Sequence, residues 1–214
     1  MKDNCKQMAY DYLYNSIITN QLKPGQPVIE QEISDNLGTS RTPVREALKQ
    51  LESEGLVRHM PGRGAFVSEV TTEDVEEIFV LREMLEVLAL QVAWKKIGDE
   101  EINKAEQFLS SLDSNCSIDD FYKSDRMIHD LIVRNGNNRR LEGFLNNINA
   151  QIERIRILSS LTPQRLGKSK AEHLEIISAM KERNLEKTEE LLRVHINNVK
   201  ESAIEVCRSM RYSR

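Results

Sequence analysis

Residues 40–56 read Ser-Arg-Thr-Pro-Val-Arg-Glu-Ala-Leu-Lys-Gln-Leu-Glu-Ser-Glu-Gly-Leu, and this stretch decides the fold of the N-terminal part of the chain. Pro43 suits the first turn of a helix, because its missing N–H is not needed there. Apolar residues then recur at helical spacing until Gly55, which ends the run. These apolar residues are Val44, Ala47, Leu48 and Leu51. The stretch therefore predicts an amphipathic helix.

The polar residues at the start of this helix favour DNA binding. They are Ser40, Arg41, Thr42 and Arg45, and together they can project into a major groove. Arginine reads guanine edges bidentately, and short hydroxyls bind phosphates. The preceding residues 30–37 predict a short helix with Ile33 and Leu37 on one face, and Gly38 begins a tight turn. Two helices joined in this way form a helix-turn-helix.

Two short segments, residues 56–60 and 65–67, are typical of strands and predict a β-hairpin after the helix. The turn between them, Pro61-Gly62-Arg63-Gly64, has a basic tip, and the hairpin is therefore interpreted as a wing. An arginine at such a tip can enter a minor groove or lie on a phosphate. A winged helix can also serve protein contacts, but the placement of Arg41, Arg45 and Arg63 favours a DNA reader.

The composition predicts a mainly α fold. The chain has 214 residues, which suits one or two domains. Its net charge is −4, so the positive charge that favours DNA binding is confined to a local group of residues. We expect an N-terminal winged helix-turn-helix domain (residues 1–70) and a C-terminal antiparallel α-helical bundle (residues 73–209). The bundle is expected to hold six helices because long amphipathic runs are joined by short polar links. Their expected ranges are 73–97, 100–113, 118–134, 139–160, 164–183 and 185–209.

The cysteines and the apolar runs give expectations about the environment of the protein. Cys5, Cys116 and Cys207 are far apart, which favours reduced thiols over a disulfide framework. The N-terminus has no apolar signal core, and no run of about 18 apolar residues appears. We therefore expect a cytoplasmic protein with no membrane association.

Four polar residues lie on faces of the bundle helices that should be apolar. Asp125 and His129 are one helical turn apart, and His173 and His195 lie on two later helices. Three imidazoles and a carboxylate that converge from three helices would form a site for a first-row divalent metal. A buried histidine is, however, often only a hydrogen-bonded core residue, and an Asp–His pair at this spacing is often a local hydrogen bond. From the spacing, both interpretations stay open.

Arg82 is a further polar residue on an apolar helix face. It lies at the centre of a broad stripe on the first bundle helix. The stripe consists of Val75, Ile78, Phe79, Leu81, Leu85, Leu88, Ala89 and Val92. An inward arginine suits a carboxylate ligand, which it would hold bidentately, and it equally suits an internal ion pair with Glu86.

The N-terminal motifs resemble those of the GntR family of bacterial transcription regulators. The matching segments are Leu22-Lys23-Pro24-Gly25, residues 32–38, residues 40–48 and residues 61–67. The resemblance implies DNA contacts by Ser40, Arg41, Thr42, Arg45, Gly62 and Arg63. Gln31 stands where some relatives carry a basic contact residue; its amide can still donate a hydrogen bond to DNA.

The C-terminal part resembles the FCD ligand-binding domain of the FadR subfamily, and its six helices resemble the shorter VanR-type group. The motifs are Leu81-Arg82 with Leu85-Glu86, residues 125–129, Glu172-His173 and the late His195. The resemblance implies a divalent metal on Asp125, His129, His173 and His195, with zinc first and manganese or nickel as alternatives. It also implies a small carboxylate effector beside the metal, held by Arg82 and with Arg156 as a second cationic contact.

These features together predict a transcription regulator that acts as a repressor. Helix-turn-helix proteins usually dimerise so that two recognition helices meet successive major grooves. We therefore expect a homodimer on a near-palindromic double-stranded DNA operator. The alternatives are a metal-dependent hydrolase or a helical scaffold that does not bind DNA. The sequence contains no HExxH, P-loop or GxSxG motif, which disfavours an enzyme.

Overall fold

The computed structural model describes residues 2–112, 118–162 and 165–212. In chain order the elements are α1 (Lys2–Ile18), β1 (Pro27–Val28), α2 (Glu30–Asn36), α3 (Arg41–Ser53), β2 (Val57–Met60), β3 (Gly64–Val67), α4 (Thr72–Ala93), α5 (Asp99–Ser111), α6 (Ile118–Asn135), α7 (Arg139–Ser159), α8 (Arg165–Lys181) and α9 (Leu185–Tyr212). The mainly α fold with a small sheet near the N-terminus is confirmed. Cys116, one of the cysteines considered above, lies outside the described residues.

The described chain forms two compact units. The first extends to Thr71 and also takes in Asn147–Ile157 of α7, and the second takes in the other described residues. Ala150 of α7 is part of the buried core of the first unit. Arg154 on the same helix donates a hydrogen bond of 2.7 Å to the backbone oxygen of Ser68. One helix thus contributes residues to both units, which the sequence pattern did not indicate.

The first unit is a three-helix winged helix, and its core comes from the apolar faces that the sequence predicts. Val44, Ala47, Leu48 and Leu51 of α3 are fully buried, and they pack with Leu13 and other residues of α1. α3 ends as expected, because Gly55 has φ +75°, a conformation that favours glycine. A Cβ there would also lie 2.8 Å from Gln151 Nε2.

The sheet of the first unit has three antiparallel strands in the order β1-β3-β2. Val57 pairs with Val67 and Met60 with Gly64, which is the predicted hairpin. β1 adds a strand that the sequence analysis did not predict. It has two residues, and its Val28 pairs with Ala65 of β3. Such a short segment carries no alternation of apolar and polar residues from which a strand could be inferred.

The second unit is a helical bundle in which α4 packs on α6 and α9, and α8 packs on α5 and α9. Its core includes Ile128 and Ile132 of α6, Ile176 and Ile177 of α8, and Leu192 of α9. The six predicted helices are present in the described residues from α4 onward, with ends that differ by a few residues. None of the helices in this part of the chain is long and apolar enough to cross a membrane.

The predicted apolar stripe of α4 is only partly correct. Val75, Phe79 and Ala89 are buried, as expected, and Arg82 is buried with them. Leu81 and Leu88, however, are 47% and 45% exposed. Val92 is also exposed. α4 carries apolar residues on two opposite sides, so the sequence could not show which side faces the bundle.

Candidate functional site

The first unit carries the residues that the sequence links to DNA, and all of them are exposed. They are Gln31, Ser40, Arg41, Thr42, Arg45, Gly62 and Arg63. Ser40 is the N-cap residue of α3, yet its side chain makes no capping hydrogen bond. The hydroxyl of Ser40 therefore does not cap the helix.

The arginines of α3 are oriented by side chains of α2. Arg41 Nε donates a hydrogen bond of 2.6 Å to Gln31 Oε1, and Arg45 Nε lies 2.7 Å from Glu30 Oε2. Each contact uses Nε, while the two terminal nitrogens form the edge that reads a guanine bidentately. Gln31 thus has a positioning contact with Arg41. The role of Glu30 was missed, although its place at the start of α2 was visible in the sequence.

The wing turn depends on glycines with positive φ. Gly62 has φ +71° and Gly64 has φ +88°, so the backbone reverses tightly on both sides of Arg63. The guanidinium of Arg63 lies 5.5 Å from the centre of the Phe66 ring, within the range of a cation–π contact. The turn therefore presents an exposed cation at the tip of the hairpin.

The second unit brings the four predicted metal ligands together in its interior. Asp125, His129, His173 and His195 are all buried, and one ligand atom from each lies within 4.8 Å of the other three. Asp125 Oδ1 lies 3.2 Å from His173 Nε2, 3.8 Å from His129 Nε2 and 3.9 Å from His195 Nε2. The Nε2 atoms of His173 and His195 are 3.3 Å apart.

These distances fit a first-row divalent metal. Zinc–nitrogen bonds of about 2.0–2.1 Å place the ligand atoms of a tetrahedral site roughly 3.4 Å apart, close to the observed spacings. Imidazole nitrogen and carboxylate oxygen also suit manganese and nickel. The donor set is therefore consistent with a metal without selecting one species.

Two further carboxylates hold the outer nitrogens of His129 and His195. Glu86 Oε2 lies 2.5 Å from His129 Nδ1, and Glu172 Oε2 lies 2.7 Å from His195 Nδ1. A carboxylate that accepts from Nδ1–H leaves the lone pair on Nε2, which is the nitrogen that faces the cluster. Such partners orient histidine ligands in metal sites.

The support from Glu172 continues into the surrounding helices. Arg165 donates two hydrogen bonds to Glu172, of 2.8 and 2.7 Å, and Asn198 Nδ2 donates one of 2.9 Å. This role of Glu172 and of the buried Arg165 was not predicted from the sequence. The only available signal was the position of Glu172 directly before His173.

The protonation state of His195 also suits a metal. Burial lowers the pKa of His195 well below its usual value, and the neighbouring His173 and His129 lower it further. The imidazole is therefore neutral at neutral pH. Metal coordination requires this form, because only a neutral imidazole offers a lone pair.

Arg82 joins the cluster through an ion pair. Its side chain is fully buried, with Nε 2.7 Å from Glu86 Oε1 and Nη2 2.9 Å from His129 Nε2. Burial opposes ionisation of Glu86, but Arg82 and His129 outweigh it and hold the pKa of this carboxyl well below its usual value. The predicted Arg82–Glu86 pair is thus present. Arg82 Nη1 is buried and has no hydrogen-bond partner among the described residues.

Arg156, the other predicted effector contact, is buried and is grouped with the first unit. Its role as an effector contact stays a prediction.

Comparison with known proteins agrees with both parts of the chain. Residues 5–67 match the family of bacterial regulatory proteins, gntR family, and residues 77–198 match the FCD domain. The HTH-type transcriptional repressor RspR of Escherichia coli K12 is 27% identical over 206 residues, which cover 94% of this chain and 89% of the repressor.

Solved structures share the architecture. E. coli McbR/YncC has a TM-score of 0.76 at 20% identity and matches over 97% of this chain and 98% of its own, which shows a common fold. The Zn²⁺-bound FCD domain of TM0439, a putative transcriptional regulator, has a TM-score of 0.58 at 25% identity and covers 64% of this chain and 96% of its own.

The family and these relatives consist of transcription regulators, so the hydrolase and scaffold alternatives are set aside. The chain belongs to the gntR family of bacterial regulatory proteins and is a DNA-binding transcriptional regulator with an FCD domain.

Proposed function

We propose that this regulator is a repressor whose operator affinity is controlled by a small organic acid bound beside a divalent metal in the second unit. The observation that carries the proposal is the buried cluster of Asp125, His129, His173 and His195, whose donor atoms converge from three helices. Three imidazoles and a carboxylate that converge in this way form a donor set that suits a divalent metal. The name of the E. coli relative RspR supports repression.

We propose zinc as the metal, with manganese and nickel as alternatives. The Zn²⁺-bound FCD domain of TM0439 supports zinc. Asp125, His129, His173 and His195 would be the ligands, with Glu86 and Glu172 holding His129 and His195. The metal would be a second cation next to Arg82, and an anionic effector could bind to both.

Arg82 is the residue that we propose for the carboxylate of the effector. Its Nε is occupied by Glu86, but Nη1 is a buried donor without a partner among the described residues. A guanidinium beside a metal would recognise a small carboxylate by charge and by directed hydrogen bonds.

On the DNA side, we propose that Arg41 and Arg45 read bases and that Ser40, Thr42 and Arg63 position the protein on phosphates. Gln31 would act through Arg41, whose Nε it binds. The wing backbone at Gly62 would approach the DNA. The operator would be near-palindromic and bound by a homodimer, with one recognition helix in each half-site.

The metal is tested with chelator-treated protein that is reloaded with zinc. We expect about one zinc per chain in the wild type and in His59→Ala, which changes the one histidine outside the cluster. We expect none in His195→Ala. Saturating zinc should raise the melting temperature of the wild type by up to roughly 10 °C through mass action, and should leave His195→Ala unchanged. Equal zinc content in both variants would rule out the site.

The effector is tested with a gel shift on the DNA upstream of the gene, using zinc-loaded protein and a panel of small organic acids. We expect one acid to release the wild type. Arg82→Lys keeps the charge for Glu86 but loses the planar fork, so it should keep operator affinity and need at least about tenfold more acid. Release of Arg82→Lys at the wild-type concentration would contradict the assignment.

A further inference from the structure

The carboxylate of Glu172 is surrounded by donors. Its Oε1 accepts a hydrogen bond of 2.8 Å from Arg165 Nη1 and one of 2.9 Å from Asn198 Nδ2. Its Oε2 accepts one of 2.7 Å from Arg165 Nη2 and lies 2.7 Å from His195 Nδ1. Each oxygen thus has two partners, which together use the roughly four acceptor sites of an ionised carboxylate. Glu172 is therefore held in one orientation, with Oε2 facing His195.

Glu86, the other carboxylate that contacts a histidine of the cluster through Nδ1, is held less firmly. Its Oε1 accepts from Arg82 Nε and its Oε2 lies beside His129 Nδ1, so each oxygen has one partner among the described residues. Arg82 reaches Glu86 through Nε alone, whereas Arg165 donates from both terminal nitrogens, a bidentate geometry that fixes the carboxylate plane. The contacts of Glu172 are therefore the more rigid of the two sets.

Arg165 occupies an unfavourable place for a cation. Its side chain is 4% exposed, and it is the first residue of α8, where the helix dipole disfavours positive charge. Apolar residues of similar volume often stabilise a protein as well as a buried ion pair does. Stability alone therefore does not account for an arginine at this position.

The two donors of Arg165 restrict which side chain can stand at position 172. An amide carries one oxygen and one NH2 group, so in either orientation its NH2 group would meet a nitrogen of Arg165. A carboxylate accepts on both oxygens and donates on neither. His195 Nδ1, which shares Oε2 with Arg165, must then carry the imidazole proton, and the lone pair is left on Nε2, on the side of the cluster.

We propose that Arg165 is a positioning residue that determines which nitrogen of His195 carries the proton, because its fork makes position 172 accept a carboxylate and exclude an amide. The inference rests on the proposed metal site and names the residue that keeps His195 in the form that binds a metal. Arg165 and Arg82 then have different tasks: Arg165 serves the metal, and Arg82 serves the effector.

The tautomer of His195 gives a direct test. Nitrogen-15 NMR of the full, chelator-treated chain distinguishes the two tautomers, and His195→Ala identifies the signals. We expect a proton on Nδ1 in the wild type. In Glu172→Gln, we expect the amide oxygen to face Arg165 and Asn198 and the NH2 group to face His195, which moves the proton to Nε2. Glu175→Gln, the same change at an exposed position of α8, is the matched control and should keep the wild-type tautomer.

The zinc dissociation constant, measured by competition with a chromogenic chelator, gives a second test. Glu172→Gln should raise it by about 10–100-fold, and Glu175→Gln should leave it unchanged. Arg165→Lys keeps the charge but loses the fork, so Glu172 can turn, and we expect a rise of about tenfold. In an Arg165→Met background, Glu172→Gln should cost less affinity than in the wild type, because the amide no longer meets both donors.

Circular dichroism of chelator-treated protein checks that the variants fold, and Arg165→Lys, which leaves Glu172 in place, decides the question if Glu172→Gln does not. A proton that stays on Nδ1 in Glu172→Gln, or wild-type zinc affinity in Arg165→Lys, would overturn the inference. Equal losses from Glu172→Gln with and without Arg165 would also overturn it. A wild-type chain that binds no zinc would refute the proposed metal, whereas the tautomer measurement would still decide the role of Arg165.

Discussion

The two candidate sites solve opposite physical problems. Around α3 and the wing, Arg41, Arg45 and Arg63 are exposed, and Arg41 and Arg45 each donate one hydrogen bond to a side chain of α2. In the second unit, the polar residues are buried, and each imidazole or guanidinium contacts a carboxylate from the same unit. A site that binds a large anionic surface can therefore remain open to water, whereas buried charges inside a bundle need partners within the bundle.

The sharpest test of this contrast compares two glutamates on α4. Glu86 is buried between Arg82 and His129, whereas Glu83 forms an exposed ion pair of 2.6 Å with Arg193. Glu86→Ala leaves the buried guanidinium uncompensated, and we expect it to lower the free energy of unfolding by about 3–5 kcal/mol. Glu83→Ala should lower it by no more than about 1 kcal/mol.

Urea unfolding of chelator-treated protein measures both variants. Chelation removes any contribution of bound metal from the comparison. Similar losses for Glu83→Ala and Glu86→Ala would mean that burial does not distinguish the two ion pairs, and the contrast between the two regions would fail.

The exposed arginines should show the reverse behaviour. Arg41→Ala and Arg45→Ala should each weaken specific operator binding by about 1–3 kcal/mol if they read bases. Their free energy of unfolding should change by no more than about 0.5 kcal/mol, since both side chains are exposed. Fluorescence anisotropy on the operator gives the affinity, with Lys104→Ala on α5 as the control. Wild-type affinity in both arginine variants would show that α3 does not face the DNA.

The smallest effect is expected at the wing. Arg63→Ala should weaken binding to operator and to unrelated DNA by a similar factor, because a phosphate contact carries no sequence information. The slope of log K against log salt should fall by about one. Titrations at several salt concentrations measure it. A loss confined to the operator would instead indicate base reading by the wing.

Sequence reasoning succeeded where the pattern is local. The apolar spacing of α3, the glycine at its end and the hairpin turn each depend on neighbours within a few residues, and the structure has them as predicted. β1 was missed because its two residues gain their structure from pairing with the distant β3.

The candidate metal cluster was predictable for a different reason. Asp125, His129, His173 and His195 interrupt apolar faces, and the polar interruption is visible without knowing what each residue contacts. The supporting pair Glu172–Arg165 was not predictable, because its function depends on which helix faces which. Helical spacing was also insufficient for α4, where apolar residues on two sides made Leu81 and Leu88 appear buried.

The hydrogen bond from Arg82 to His129 has a thermodynamic consequence. It uses the lone pair on Nε2, and a lone pair serves one electrophile at a time, so the guanidinium and a cation at that atom exclude each other. Binding of an anion to Arg82 and binding of a cation to His129 Nε2 are therefore linked. A ligand that draws Arg82 away from His129 raises the affinity of Nε2 for a cation, and a cation at Nε2 raises the affinity of Arg82 for that ligand by the same factor. An anion that binds Arg82 would then promote metal binding, and the metal would promote binding of the anion. The step that couples them would be the loss of the Arg82–His129 hydrogen bond.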